Sequence, residues 1–159
     1  MSRAFVKEQD DKPEELAERP VSANPNVVTM RGLRLIEVEI EASRRTLTQG
    51  QQAGDKSVSA RASRDLRYWI QRRASVQLVE PKTHFSSVGF GARVTIQRND
   101  GRQQTFAIVG EDEADPSKGS IAYSSPLARA LMGKTVGETA DIPGGEVEIL
   151  ALETVGPED

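Results

Sequence analysis

The first candidates for chemistry in this chain are its carboxylates, since its 159 residues include no cysteine and a single histidine. That leaves out disulfides, thiolate metal sites and most histidine-dependent catalysis. Oxygen chemistry remains: a hard divalent cation is held by several carboxylate or carbonyl oxygens. The acids are poorly arranged for it. Glu37, Glu39 and Glu41 fall on a helix, where a spacing of two sends them to different faces. Glu111, Asp112, Glu113 and Asp115 share one loop, which reads as solvated and at most a weak cation holder. Asp55 stands almost alone in a turn, beside Lys56. His84 lies in a linker with no nucleophile near it in sequence. Gly89-Phe90-Gly91 and Gly144-Gly145 lack the strand-then-helix setting of a phosphate loop. No catalytic residue is expected, and the chain reads as non-enzymatic.

The turn that carries Asp55 joins two helices. Apolar residues recur at Leu33, Ile36, Ile40 and Leu47, then at Leu66, Ile70 and Val76 with Trp69 beside them. One narrow stripe per helix is buried only by packing the two against each other. The spacing predicts a helix from about Thr29 to Gln49, capped by Asn26 or Thr29. Gly50 and Gly54 bracket the loop. The second helix is capped by Ser57 or Ser59, fades near Leu78 and is stopped by Pro81. The pair Tyr68-Trp69 is expected to pack at the base of this arm. From Gly32 to Asp55 the arm reaches at most about 35 Å.

Residues 82–156 read as a small antiparallel sheet with one short helix. Arg93 to Gln97 alternates as a strand, Asn99-Asp100-Gly101 signals a hairpin, and Gln104 to Val109 returns. Ile121 to Tyr123 is a short strand, and Ser125-Pro126 opens a helix from Leu127 to Met132. Pro143-Gly144-Gly145 turns into the last strand, Glu146 to Thr154. The fold class is therefore α+β, with an irregular leader over 1–27, a two-helix antiparallel coiled-coil arm over 28–80 and a sheet domain over 82–156.

Charge divides between the two parts. Residues 31–79 carry ten lysines and arginines against five acids, while residues 82–159 carry seven against twelve. Arg61, Arg64, Arg67, Arg72 and Arg73 form the expected basic face of the arm. A basic arm on an acidic body suits an oriented docking partner. The overall charge of −3 argues against a stand-alone DNA binder. With no apolar run of about 18 residues and no signal-like N-terminus, a cytoplasmic protein without a membrane contact is expected, acting as a monomer.

The residues also resemble a family. MSRAFVKE, ELAERP and NPNVVTMRGL, followed by SPLARALMGKTVGE and Pro143-Gly144-Gly145, are similar in order to the Gre transcription elongation factors, the GreB branch in particular. The resemblance implies an FKBP-like C-terminal domain that docks on bacterial RNA polymerase at the rim of its secondary channel. It implies a coiled coil that enters the channel, near RNA and DNA. Two acids at the family's tip help hold a second Mg²⁺, so that the polymerase cleaves backtracked RNA. The family's tip is of the type Gly-Asp-x-x-Glu-Asn. Here Gly54-Asp55-Lys56-Ser57-Val58-Ser59 keeps the first acid, with Val58 at the Glu position and Ser59 at the Asn position. Asp55 is then the one candidate metal ligand, acting only jointly with the polymerase, and no cofactor belongs to the chain itself.

The arm is also shorter than the GreB arm. Together these departures imply weak or absent cleavage stimulation. At the docking string, Ser124, Ser125 and Pro126 stand where the family has acid-Ser-Pro. Two other readings share this fold: a short-armed regulator of the Rnk type, and an FKBP-like prolyl isomerase built around Phe85, Phe90, Phe106 and Tyr123.

Overall fold

The computed structural model describes residues 16–156. The readings placed on residues 1–15, including the opening MSRAFVKE, lie outside them.

Alternating apolar residues build the body. Ala92, Val94 and Ile96 point to one side of strand β3 (Ala92–Arg98) and are fully buried there. Strand β4 (Gln103–Val109) returns antiparallel to it, pairing Val94 with Phe106. The last strand, Gly145–Thr154, covers the other edge of β3 antiparallel and is itself bordered by Thr139–Ile142. The short strand Ser120–Ala122 runs parallel to β4, pairing Ile108 with Ile121. This corrects the expectation of a purely antiparallel sheet. The chain leaves β4 over the edge through residues 110–119 and comes back in the same direction. That path needs a crossover and not a tight hairpin. In chain order these three strands are β5 (Ser120–Ala122), β6 (Thr139–Ile142) and β7 (Gly145–Thr154), and the sheet order is β5-β4-β3-β7-β6. The single short helix of the body, Pro126–Leu131, lays Ala128 and Leu131 on the core with Ile108, Ile121 and Ile149.

The arm is made of α1 (Met30–Gln52) and α2 (Lys56–Ala74). Thr29 caps α1, accepting the Gly32 N–H at 3.0 Å. The seam buries Ile36, Ile40 and Ser43 of α1 against Ala62 and Trp69 of α2, with Leu33 and Leu66 partly buried beside them. Ile70 does not join it. Its side chain is exposed, because the seam on α2 steps by three from Leu66 to Trp69 rather than by four to Ile70. Near the far end the helices approach so closely that an added Cβ on Gly50 would stand 2.8 Å from Ser59 Oγ and 3.1 Å from its backbone nitrogen. Glycine there lets the two backbones cross.

A second small sheet fastens the base of the arm. β1 (Val27–Val28) precedes α1, β2 (Gln77–Leu78) follows α2, and the two pair in parallel. Sequence periodicity gives no warning of so short a pairing, and α2 ends at Ala74 rather than near Leu78. The strap then presses on the body. A Cβ on Gly110 would fall 2.6 Å from the Val27 carbonyl oxygen, so the end of β4 must be bare where β1 crosses it.

Candidate functional site

At the tip, three residues turn the chain: Ala53, Gly54 and Asp55. Asp55 is the N-cap of α2. Its Oδ1 accepts the Val58 N–H at 3.0 Å, and its carbonyl oxygen accepts the Ser59 hydroxyl at 2.8 Å. The expected caps, Ser57 and Ser59, lie inside the helix instead. An Asp in extended conformation just before a helix is a strong cap, since its oxygen satisfies an amide that has no partner within the helix. The one acid at the tip is thus engaged in local structure. Lys56 and Ser57 are exposed beside it, and Val58 is partly exposed. Among the described residues no group of three or more histidine or acidic side chains is gathered to hold a metal ion.

The basic face is divided. Arg61 is exposed. Arg64 lies 3.2 Å from Asp65, Arg67 donates to Glu18 through Nε and Nη2 on one edge of its guanidinium, and Arg73 lies 3.2 Å from Glu37. Contact with Arg67 draws the Glu18 carboxyl below its usual range. Arg72 is not part of a face at all. It is 2% exposed, and its Nε donates to Asp112 at 2.5 Å. Arg72 also donates to the Asn26 side-chain oxygen at 2.8 Å, while the Asn26 amide donates to the Arg72 carbonyl at 2.7 Å. Tyr68 donates to the same Asp112 carboxylate. Burial first, and then this bond, push the Tyr68 phenol up to about 12. Arg19 of the leader stacks over the Tyr68 ring at 3.8 Å, and Tyr68 meets Trp69 edge-on.

The loop that read as solvated is therefore the clasp between arm and body. Besides Asp112, Glu113 accepts the Thr29 hydroxyl at 2.6 Å, and burial raises its proton affinity. Glu111 accepts the Ser124 hydroxyl at 3.0 Å and the Asn24 amide at 3.4 Å. Burial pushes the Glu111 carboxyl up, but hydrogen bonds from Ser22, Ser124 and Asn24 outweigh it and hold it below its ordinary value. No local pattern in the sequence signals this clasp, because Asp112 lies 40 residues from Arg72 along the chain.

At the docking string, Ser125 caps the short helix, its hydroxyl accepting the Ala128 N–H at 3.3 Å, and Pro126 takes the first helical position, exposed. Ser124 turns instead to Glu111, which stations a carboxylate beside the string from another part of the chain. His84 is exposed. Phe85 is buried, and Phe106 of β4 and Tyr123, in the turn just after β5, pack on the core. Among the described residues no helix is long and apolar enough to cross a membrane.

The family described as "Transcription elongation factor, GreA/GreB, C-term" matches residues 82–154. A relative from Maricaulis maris, named transcription elongation factor GreA, is 36% identical over 126 residues, 70% of this chain and 80% of the relative. One of the same name from a Caulobacter species is 36% identical over 138 residues, 77% of this chain and 88% of the relative. Both relatives are named GreA. The crystal structure of GreA factor homolog 1 from Thermus thermophilus overlays 82% of this chain and 99% of that one at 18% identity, with a TM-score of 0.40.

Proposed function

We propose, from the premise that this chain belongs to the GreA/GreB family, that it is a transcription elongation factor that binds bacterial RNA polymerase without being an enzyme itself. In this reading the sheet body docks at the rim of the secondary channel, the arm enters it, and transcript cleavage is stimulated weakly or not at all. The supporting observation is at the tip: Asp55 caps α2, and the next positions offer Lys56, Val58 and Ser59 instead of a second carboxylate. Two-metal phosphoryl chemistry needs oxygen ligands free to face the ion. A lone acid already bonded to a backbone amide, beside a lysine, is a poor donor set.

The experiment is competition on purified elongation complexes. The chain is expected to displace a cleavage-competent Gre factor from backtracked polymerase while leaving the transcript intact. Efficient cleavage by the unmodified chain would overturn the reading of the tip. Failure to bind polymerase at low salt would overturn the reading as a whole. The double substitution Val58→Glu/Ser59→Asn separates ligand loss from arm length: cleavage that appears on restoring the acid assigns the defect to the ligands, and none assigns it to reach.

A further inference from the structure

A cleft of about 340 Å³ opens where the foot of α1 meets the outer face of the sheet. Its size falls in the range of small-molecule sites, roughly 300–1,000 Å³. Its apolar lining comes from Leu35 on α1, Ala107 and Val109 on β4, and Val155 after β7. Its cationic lining comes from Arg31 on α1 and Lys118 on the turn Pro116–Lys118, with Arg93 of β3 adding a third positive charge. Three carboxylates share the walls, each already accepting a hydrogen bond within the chain; Glu113 lies in the field of Arg31, and Asp115, on the solvent side, in that of Lys118. Asp112 binds Arg72 and Tyr68, Glu113 binds Thr29, and Asp115 accepts both the N–H and the hydroxyl of Ser117. Arg31 and Lys118 are exposed on two separate elements. A smaller apolar pit of about 50 Å³, walled by Met30, Val79, Pro81 and Phe90, shares Arg31, Glu113 and Val155 with the cleft.

A ligand that suits this lining carries negative charge at one end and an apolar face at the other. We propose that the cleft binds a nucleoside phosphate, with its phosphates at Arg31 and Lys118 and its apolar face over Leu35, Val109 and Val155. Flexible ammonium and guanidinium groups on two elements match phosphate oxygens by charge-assisted hydrogen bonds. The site is separate from the arm tip and from the helix after Ser125. The inference needs only the isolated chain and stands apart from polymerase binding.

The test is calorimetric titration of the full chain at low salt with ATP and GTP, and in parallel with adenosine and inorganic tripolyphosphate. Saturable binding of at least one nucleotide is expected, weakening as salt rises. Arg31→Ala/Lys118→Ala is expected to weaken it by about tenfold or more, given the strength of charge-assisted bonds. Both side chains are exposed, so an unchanged unfolding transition certifies the variant. Amide chemical-shift changes confined to the foot of α1, the end of β4 and residues 112–120 would support the proposal. Absence of nucleotide binding would overturn it. So would binding lost in Lys56→Ala/Arg61→Ala at the arm tip while Arg31→Ala/Lys118→Ala binds normally. Tripolyphosphate binding as tightly as ATP would show that the apolar floor plays no part, and the nucleotide assignment would fall.

Discussion

Arg72 of α2 and Asp112 of the loop after β4 stand 40 residues apart in sequence and 2.5 Å apart in space, with Arg72 at 2% exposure and Asp112 at 10%. Two charges are brought out of water where arm and body meet. Removing one partner leaves the other buried and unpaired, at a cost of about 3–5 kcal/mol. Asp112→Ala is therefore expected to lose most of that in urea unfolding. Asp112→Asn, which keeps an acceptor but not the charge, is expected to lose less. A change under 1 kcal/mol in the alanine variant would mean that the pair does not hold the junction.

The cap at the tip gives a smaller effect with a clear ranking. Asp55→Ala exposes the Val58 amide and is expected to cost about 1 kcal/mol, the usual value of an N-cap. Asp55→Asn and Asp55→Ser supply a capping oxygen and should stay near the parent in thermal unfolding. Equal losses from all three would point to a role for the charge rather than the hydrogen bond.

Restoring the family's acid at the docking string should fail on its own. Ser124→Asp would aim a second carboxylate at Glu111, whose oxygen now lies 3.0 Å from the Ser124 hydroxyl. Loss of stability is expected, with recovery when Glu111→Gln is added, and the coupling read from a double-mutant cycle. Additive effects would show that the two side chains do not meet in solution.

Glu113 carries a pH dependence. Burial raises its proton affinity above the ordinary value of 4.5. The folded chain then holds this proton more tightly than the unfolded chain, so stability falls as pH rises between the ordinary value and the raised one. The contribution is full below 4.5 and lost above the folded value. Glu113→Gln keeps an acceptor for Thr29 and has no charge to bury. Its stability is expected to match the parent at acid pH and to exceed it at neutral pH. A gap that widens on acidification would reverse the sign and refute the assignment.

What could be read in advance follows from the range of each interaction. The hairpin arm and the β3–β4 hairpin rest on local periodicity and on Asn99-Asp100-Gly101, and both are found. Ile70 was misplaced because a residue three or four positions after Leu66 can share its side of a helix, and only packing against Ile36 and Ile40 decides for Trp69. The cap at Asp55 was legible, since an acid directly before a helix is the ordinary signal. Reading it as a metal ligand hid that. Arg72 was not legible. A charged residue on a helix is normally solvated, and its partners, Asn26 and Asp112, arrive from far along the chain. The parallel sense of β5 likewise depends on a loop path that no alternation pattern encodes.

Asn26 grips the arm from outside it, holding both the carbonyl and the guanidinium of Arg72. A chimera that transplants residues 30–74 onto a foreign scaffold would leave that asparagine and the acid at 112 behind. The graft would arrive with a bare guanidinium to inter. Exchange of arms among relatives therefore has a rule: the upstream seam must precede residue 26, and the recipient must already own the matching acid.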